Sequence, residues 1–535
     1  MSESADEDGA AAYALDEKRR AVLAKIDNAH FGIFHVKVSL VAGAGFFTDA
    51  YDIFAINIAS VMLGYVYGVH PGFALSPWLD LGLKAATPIG NIFGQFIFGW
   101  LADVFGRKRL YGIELLIIIV ATFAQALAGQ ALATNVIGVI IAWRFILGVG
   151  IGGDYPLSAV ISSEFASTMN RGRLMTAVFA NQGWGQLSGS LVAVIVVAAY
   201  KDVLHNEDIN MLTSVDTMWR IIIGFGCVPG VFALYFRLTI PETPRFTLDI
   251  ERNVLQAAKD VDDFLVTGGY FIDPDAVVQR VLARKATRHD FLTYFSKWEN
   301  ARQLVGCAYS WFALDFAFYG LNLNWAFFLE AIGFGRTTAP TTTAQMYSSL
   351  IQLSIGNVIL SVAGYIPGYW ASFFVIDRWG RKPIQFIMLT ILFIIIGIVY
   401  DQYYMKDEAS WKYAMFFLYC LANFFQNFGP NTTTFILPGE SFATRYRSTC
   451  HGICAASGKL GAVISQIVIT RLLYPSGNQL EHGRTLGLIV EVLAAIMFTG
   501  VVSTLIIKET NQRTLEDISN EKQEGFVRGI ISKRF

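Results

Sequence analysis

The apolar residues of this 535-residue chain are gathered into twelve long blocks, and this constrains its fold more than any other feature. The blocks lie at about 37–63, 80–103, 109–128, 134–157, 174–199, 219–239, 302–331, 345–376, 383–400, 411–437, 449–474 and 484–507, numbered here as spans 1 to 12. A helix that crosses a bilayer needs about 20 mostly apolar residues. Only helices and closed barrels satisfy their backbone in lipid, and these blocks are far too long for barrel strands. The expected fold class is therefore an all-α membrane protein of twelve transmembrane helices, with the lipid bilayer as its first partner. Pro367 predicts a kink in span 8. Only 16% of residues are charged, against about 25% in soluble domains. The net charge of −1 leaves no basic field to hold nucleic acid.

The loops predict an orientation. Arg107, Lys108 and Arg109 follow span 2, Arg171 and Arg173 follow span 4, Arg378, Arg381 and Lys382 follow span 8, and Arg445 and Arg447 follow span 10. These loops share one side, and positive loops face the cytosol. The basic residues of the N-terminal segment and of the tail belong to the same side, which agrees with an even number of spans. Residues 1–30 lack the short apolar core of a signal peptide. The expected layout is a cytosolic N-terminal segment (1–36), a six-helix half (37–239), a charged cytosolic loop (240–300), a second six-helix half (301–507) and a cytosolic tail (508–535). Helical periodicity in the loop is expected over 252–265 and 275–287. The five cysteines read as small buried hydrophobes. Cys450 and Cys454 flank His451, but no further soft ligands gather there, so neither a metal nor a cofactor is expected.

The two halves repeat. Asp103-Val104-Phe105-Gly106-Arg107-Lys108 follows span 2, and Asp377-Arg378-Trp379-Gly380-Arg381-Lys382 follows span 8. In each half a glutamate later precedes an arginine by seven: Glu164 and Arg171, then Glu440 and Arg447. The two motifs lie 61 residues apart in the first half and 63 in the second, which points to duplication. Two pseudo-symmetric six-helix halves with a midplane site between them are a secondary-transporter architecture. The Gly-Arg-Lys turns resemble the loop signature of the major facilitator superfamily. Pro241-Glu242-Thr243-Pro244-Arg245 resembles a motif of sugar porters and their relatives.

An ionisable residue at membrane depth costs several kcal/mol and is a functional candidate by default. Span 1 carries Asp49 and Asp52, three apart and so on one face. Span 4 carries Arg144, Asp154 and Tyr155. Span 5 carries Gln182 and Gln186. Span 7 carries Trp311, Asp315 and Tyr319 in one vertical stripe. Span 10 carries Asn423, Gln426, Asn427 and Asn431, and span 11 carries Lys459. Tyr155 and Asn431 each lie nine residues before their glutamate. Gln182 and Lys459 lie eighteen and nineteen after it. These groups are therefore expected to face one another across the repeat interface. Phenols, indole, amides and an ammonium suit a small oxyanion. The Asp315 carboxylate repels an anion unless the anion donates a hydrogen bond or the carboxylate is protonated. Dihydrogen phosphate has P–OH donors, whereas sulfate and nitrate at neutral pH do not. A sugar also combines donors and acceptors and stays open at this point. Asp49, Asp52, Asp154 and Asp315 are candidates for proton coupling, with Arg144 acting on Asp49 or Asp52. Importing one negative charge against 100 mV, inside negative, costs about 2.3 kcal/mol.

Gly152-Gly153-Asp154-Tyr155-Pro156-Leu157-Ser158-Ala159 resembles the signature of the phosphate:proton symporter family. Asn427-Phe428-Gly429-Pro430-Asn431-Thr432-Thr433-Thr434-Phe435 resembles its span-10 motif, and Arg447-Ser448-Thr449-Cys450-His451-Gly452 through Lys459 its span-11 motif. The similarity runs over nearly all of 35–510 and is closest to fungal high-affinity phosphate transporters. It implies a major facilitator fold and proton-coupled import of inorganic phosphate (H2PO4−) across the plasma membrane of a fungal-like cell. It implies phosphate ligands at Tyr155, Gln182, Trp311, Asp315, Tyr319 and Asn431, with Lys459 as a countercharge beside Asp315. Proton handling is implied at Asp49, Asp52 and Asp154. A sugar or organic-solute porter of the same superfamily and a phosphate-binding nutrient sensor are the alternatives. An enzyme is not expected, because no metal cluster, nucleophile elbow or nucleotide loop is present.

Overall fold

The computed structural model describes residues 21–29, 32–68, 75–205, 211–238, 242–249, 287–331, 343–385, 409–474 and 482–519. Among them the chain is helical, and eleven of the twelve expected spans are present as helices. Nine of these helices meet both length and hydropathy for crossing a membrane. The greater part of span 9 and the helices expected within 252–265 and 275–286 lie outside the described residues.

Several spans are broken, and the breaks follow the sequence. Span 8 runs as Thr343–Leu360 and Ile366–Trp379 around a π turn at Ser361–Tyr365, so its irregularity falls just before Pro367. Span 10 is Ala409–Phe428 and Pro430–Ser441. Proline removes a donor and clashes with the preceding turn. The Asn427 carbonyl is taken by the Thr432 hydroxyl at 2.7 Å, and the Phe428 carbonyl by Ser372 of span 8 at 2.6 Å. A break at membrane depth survives only when such groups are re-satisfied.

Span 2 (Pro77–Phe105) packs on span 4 (Val136–Phe165) within the first half, and span 7 (Trp298–Asn322) on span 11 (Arg447–Leu473) within the second. The halves meet along span 2 against span 11 and span 5 against span 8. Gly458 has no room for a side chain: a Cβ there would meet Trp311 and Asp315. Its absence lets span 7 present its polar stripe against span 11.

The repeat is visible in the turns. Gly106 (φ 97°) and Gly380 (φ 87°) hold a backbone conformation that favours glycine. After each turn a glutamate caps the next short helix. Glu242 accepts the Arg107 and Lys108 N–H groups, and Glu509 accepts those of Arg381 and Lys382. The motif aspartates cap helices of the opposite half. Asp103 accepts the N–H groups of Ser448 (3.2 Å) and Thr449 (2.7 Å), and Asp377 those of Gly172 (3.1 Å) and Arg173 (3.0 Å). The glutamate–arginine motifs also pair across the halves: Arg447 binds Glu164 at 2.7 Å. Outside the bundle, Arg245 holds Asp27 (2.8 Å) and Glu516 (3.0 Å). Burial raises the Glu516 carboxyl, and Arg245 more than reverses this, holding it at about 2.

Candidate functional site

The stripe on span 7 converges on one lysine. Lys459 donates to Asp315 at 2.6 Å, and its ammonium stands 4.8 Å from the Tyr155 ring centre and 4.6 Å from that of Tyr319. Two aromatic faces and one carboxylate therefore surround a buried cation. The Tyr155 and Trp311 rings are 6.4 Å apart. Gln182 donates to the Tyr155 hydroxyl at 2.7 Å. Tyr369 of span 8, which the sequence reading did not single out, completes the ring. It donates to Gln182 Oε1 at 3.2 Å and accepts from Asn431 Nδ2 at 2.8 Å. All seven expected ligands, Tyr155, Gln182, Trp311, Asp315, Tyr319, Asn431 and Lys459, thus stand at one place between the halves, and all are buried.

Aromatic side chains close this place on both sides. Phe179 and Phe435 stack at 4.4 Å with Phe46 edge-on to both, next to Tyr155. Phe54 lies parallel to Tyr319 at 6.5 Å on the other side. Within this cluster, Lys459 and Asp315 form a buried ion pair. A buried pair is costly to break by removing one partner, because the other is left as an unpaired charge. An oxyanion that enters shares the ammonium, and a donor on that anion meets Asp315.

The carboxylates expected to handle protons separate into two settings. Asp49 is fully buried beside Asp154. Asp154 binds Arg237 at 2.6 Å and accepts from Ser158 at 2.5 Å, and Arg237 also binds Glu114 at 2.6 Å. Asp52, although only three residues from Asp49, accepts from Thr122 at 2.8 Å instead. Arg144 donates to the main-chain carbonyls of Leu83 (2.8 Å) and Asp52 (3.5 Å). It therefore stands with Asp52 and not with Asp49, and it joins span 4 to spans 1 and 2 through backbone. Arg237 and Glu114 were passed over in the sequence. Both fall inside apolar blocks, and an ionisable residue in a span was the signal that marked them.

The comparisons with known proteins agree with this architecture. The family model for sugar (and other) transporters matches residues 38–521. The chain belongs to this transporter family. Its relatives include a repressible high-affinity phosphate permease of Neurospora crassa, 46% identical over 95% of this chain and 90% of the relative. An inorganic phosphate transporter of Saccharomyces cerevisiae is 45% identical over 94% of this chain and 87% of its own length. A low-affinity inorganic phosphate transporter of Petunia hybrida is 35% identical over 94% and 95%. The chain is thus a member of the phosphate transporter group within a family of transporters, not enzymes. Among solved structures, the major facilitator proton:xylose symporter XylE superposes with a TM-score of 0.63, covering 91% of this chain and 98% of that one at 19% identity. That likeness shows the major facilitator fold.

Proposed function

We propose that this protein imports inorganic phosphate together with protons by alternating access, with both termini in the cytosol and the bundle in the plasma membrane. The observation that carries the reading is the Lys459–Asp315 pair set among the Tyr155, Tyr319, Trp311 and Gln182 donors. The ammonium attracts an anion, and the carboxylate accepts a P–OH proton. A neutral sugar has no use for the buried ammonium. The 45–46% identity to phosphate transporters over nearly the whole chain supports the same substrate.

Proton coupling rests on the second setting. Asp154 and Tyr155 are adjacent in span 4. The Asp49–Asp154–Arg237–Glu114 group therefore begins one residue from the phosphate site and runs toward the arginine-rich end of the bundle. Asp49 in this group is the proton carrier, and Arg237 answers to its charge state through Asp154. Entry of a monoanion against an inside-negative 100 mV costs about 2.3 kcal/mol, and more than one proton per phosphate reverses the sign. Asp52 with Thr122 and Arg144 forms a second proton position nearer the opposite end.

Purified protein in liposomes tests the reading with radiolabelled phosphate, with and without an inward proton gradient. Uptake that requires the gradient and collapses with a protonophore is expected. Binding without uptake under either condition makes the protein a phosphate receptor instead. In Asp315→Asn, phosphate binding is expected to be lost while the protein stays folded; normal affinity there removes Asp315 from the site.

A further inference from the structure

The amide orientations in the site are set from outside it. Asn423 Nδ2 donates to the Tyr419 carbonyl at 2.9 Å, and Asn427 Nδ2 donates to the Asn423 carbonyl at 2.7 Å. A main-chain carbonyl only accepts, so the Asn427 nitrogen faces it and its Oδ1 faces onward. That oxygen takes one N–H of Asn431 at 2.8 Å, and Tyr369 takes another N–H of the same nitrogen at 2.8 Å. Both amide protons of Asn431 are thereby bound within the protein. Tyr369, having accepted, passes its own proton to Gln182 Oε1 at 3.2 Å, which leaves the Gln182 nitrogen facing Tyr155. The polarity of the chain of bonds is fixed by the Asn423 backbone carbonyl of span 10. It leaves the site one amide that gives protons, Gln182, and one amide whose free atom only accepts. No described residue donates to Asn431 Oδ1, and Asn431 is 4% exposed.

We infer that Asn431 Oδ1 is the acceptor for a P–OH proton, and that Tyr369 and Asn427 are positioning residues that make it one. The inference rests on the phosphate reading above. Dihydrogen phosphate has two P–OH groups: Asp315 takes one and Asn431 the other. The unprotonated oxygens face Lys459, the Gln182 N–H and the tyrosine hydroxyls. Sulfate has the same shape but no proton at neutral pH. It sets an oxygen against Asn431 Oδ1 and leaves that buried acceptor unpaired, which is how a polar site rejects an analogue lacking a hydroxyl. Arsenate carries the same protons as phosphate and passes the same test. Tyr369 therefore serves selectivity against sulfate without touching the ligand.

The test is competition against labelled phosphate binding by sulfate and by arsenate, in wild type, Tyr369→Phe and Asn427→Leu. Tyr369→Phe removes one oxygen, and Asn427→Leu cuts the chain of bonds at an independent point. In wild type, arsenate is expected to compete and sulfate to fail. In Asn427→Leu the Asn431 amide is free to turn, because the Tyr369 hydroxyl can donate to it as well as accept, and in Tyr369→Phe the nitrogen still held by Asn427 keeps one N–H without a partner; either way an N–H is offered. Sulfate is then expected to gain on arsenate by about tenfold or more. Equal loss of phosphate, arsenate and sulfate binding in the variants would reduce Tyr369 to packing and overturn the inference. So would wild-type protein that binds phosphate yet accepts sulfate as well as arsenate, an arm that needs no variant. Wild-type protein that binds no phosphate at all fails the underlying reading instead.

Discussion

The two ends of the interface between the halves are built from different chemistry. At the arginine-rich end the halves are joined by buried charge: Arg447 on Glu164, Arg107 on the Thr444 carbonyl, and two aspartates capping helices across the divide. At the opposite end, the described contacts between halves are mostly single neutral hydrogen bonds. Asn57 donates to the Asn322 carbonyl at 2.8 Å, Asn357 to Ser190 at 2.7 Å, and Tyr65 to Ser349 at 3.5 Å. A neutral hydrogen bond contributes about 0.5–1.5 kcal/mol net, whereas removing one partner of a buried ion pair costs about 3–5 kcal/mol. The difference teaches that the two ends are unequal, and under the alternating-access proposal the charged end acts as a latch with defined partners while the neutral end separates at lower cost.

The strongest way to break this contrast is Glu164→Gln, which leaves Arg107 and Arg447 buried without their shared carboxylate. Closure at the arginine-rich end is expected to weaken by about 3–5 kcal/mol. Labelling of cysteines introduced at that end reads the shift, and unchanged labelling refutes the latch. Asp103→Ala removes a cap from the opposite half, and its expected cost is about 1–2 kcal/mol by the same assay. At the neutral end, Asn357→Leu is expected to change accessibility by about 1 kcal/mol or less. A larger effect there than at Asp103 would invert the comparison.

The smallest effect is a pH dependence at the edge of the latch. Arg245 holds the Glu516 carboxyl at about 2, below its ordinary 4.5. A lowered carboxylate stabilises the folded form above the ordinary value and loses that contribution as pH falls through the lowered one. Wild type is therefore expected to melt above Glu516→Gln at neutral pH, and the gap is expected to shrink as pH drops from about 4.5 toward 2. A gap that is constant over that window refutes the ion pair as its source.

What the sequence revealed and what it concealed follow from the same physics. Apolar blocks report helices because lipid permits little else, and the Asp-x-x-Gly-Arg-Lys turns report the repeat because positive φ and helix capping fix those residue types. The seven expected site residues were legible because polar groups at membrane depth are rare. Tyr369 was not, since a tyrosine in an apolar run gives no sign of whether its hydroxyl has a partner. The different fates of Asp49 and Asp52 were equally hidden. Three residues apart puts them on one face, but which neighbour each meets depends on how spans 3, 4 and 6 pack around span 1.

The exchanged caps bear on how the chain is made. Gly172 and Arg173 begin a helix of the first half whose N–H groups are received by Asp377, more than two hundred residues later in synthesis. Until the second half is in place, that helix start lacks these two acceptors. That helix start is finished only when both halves have docked, so docking completes a local structure as well as the whole.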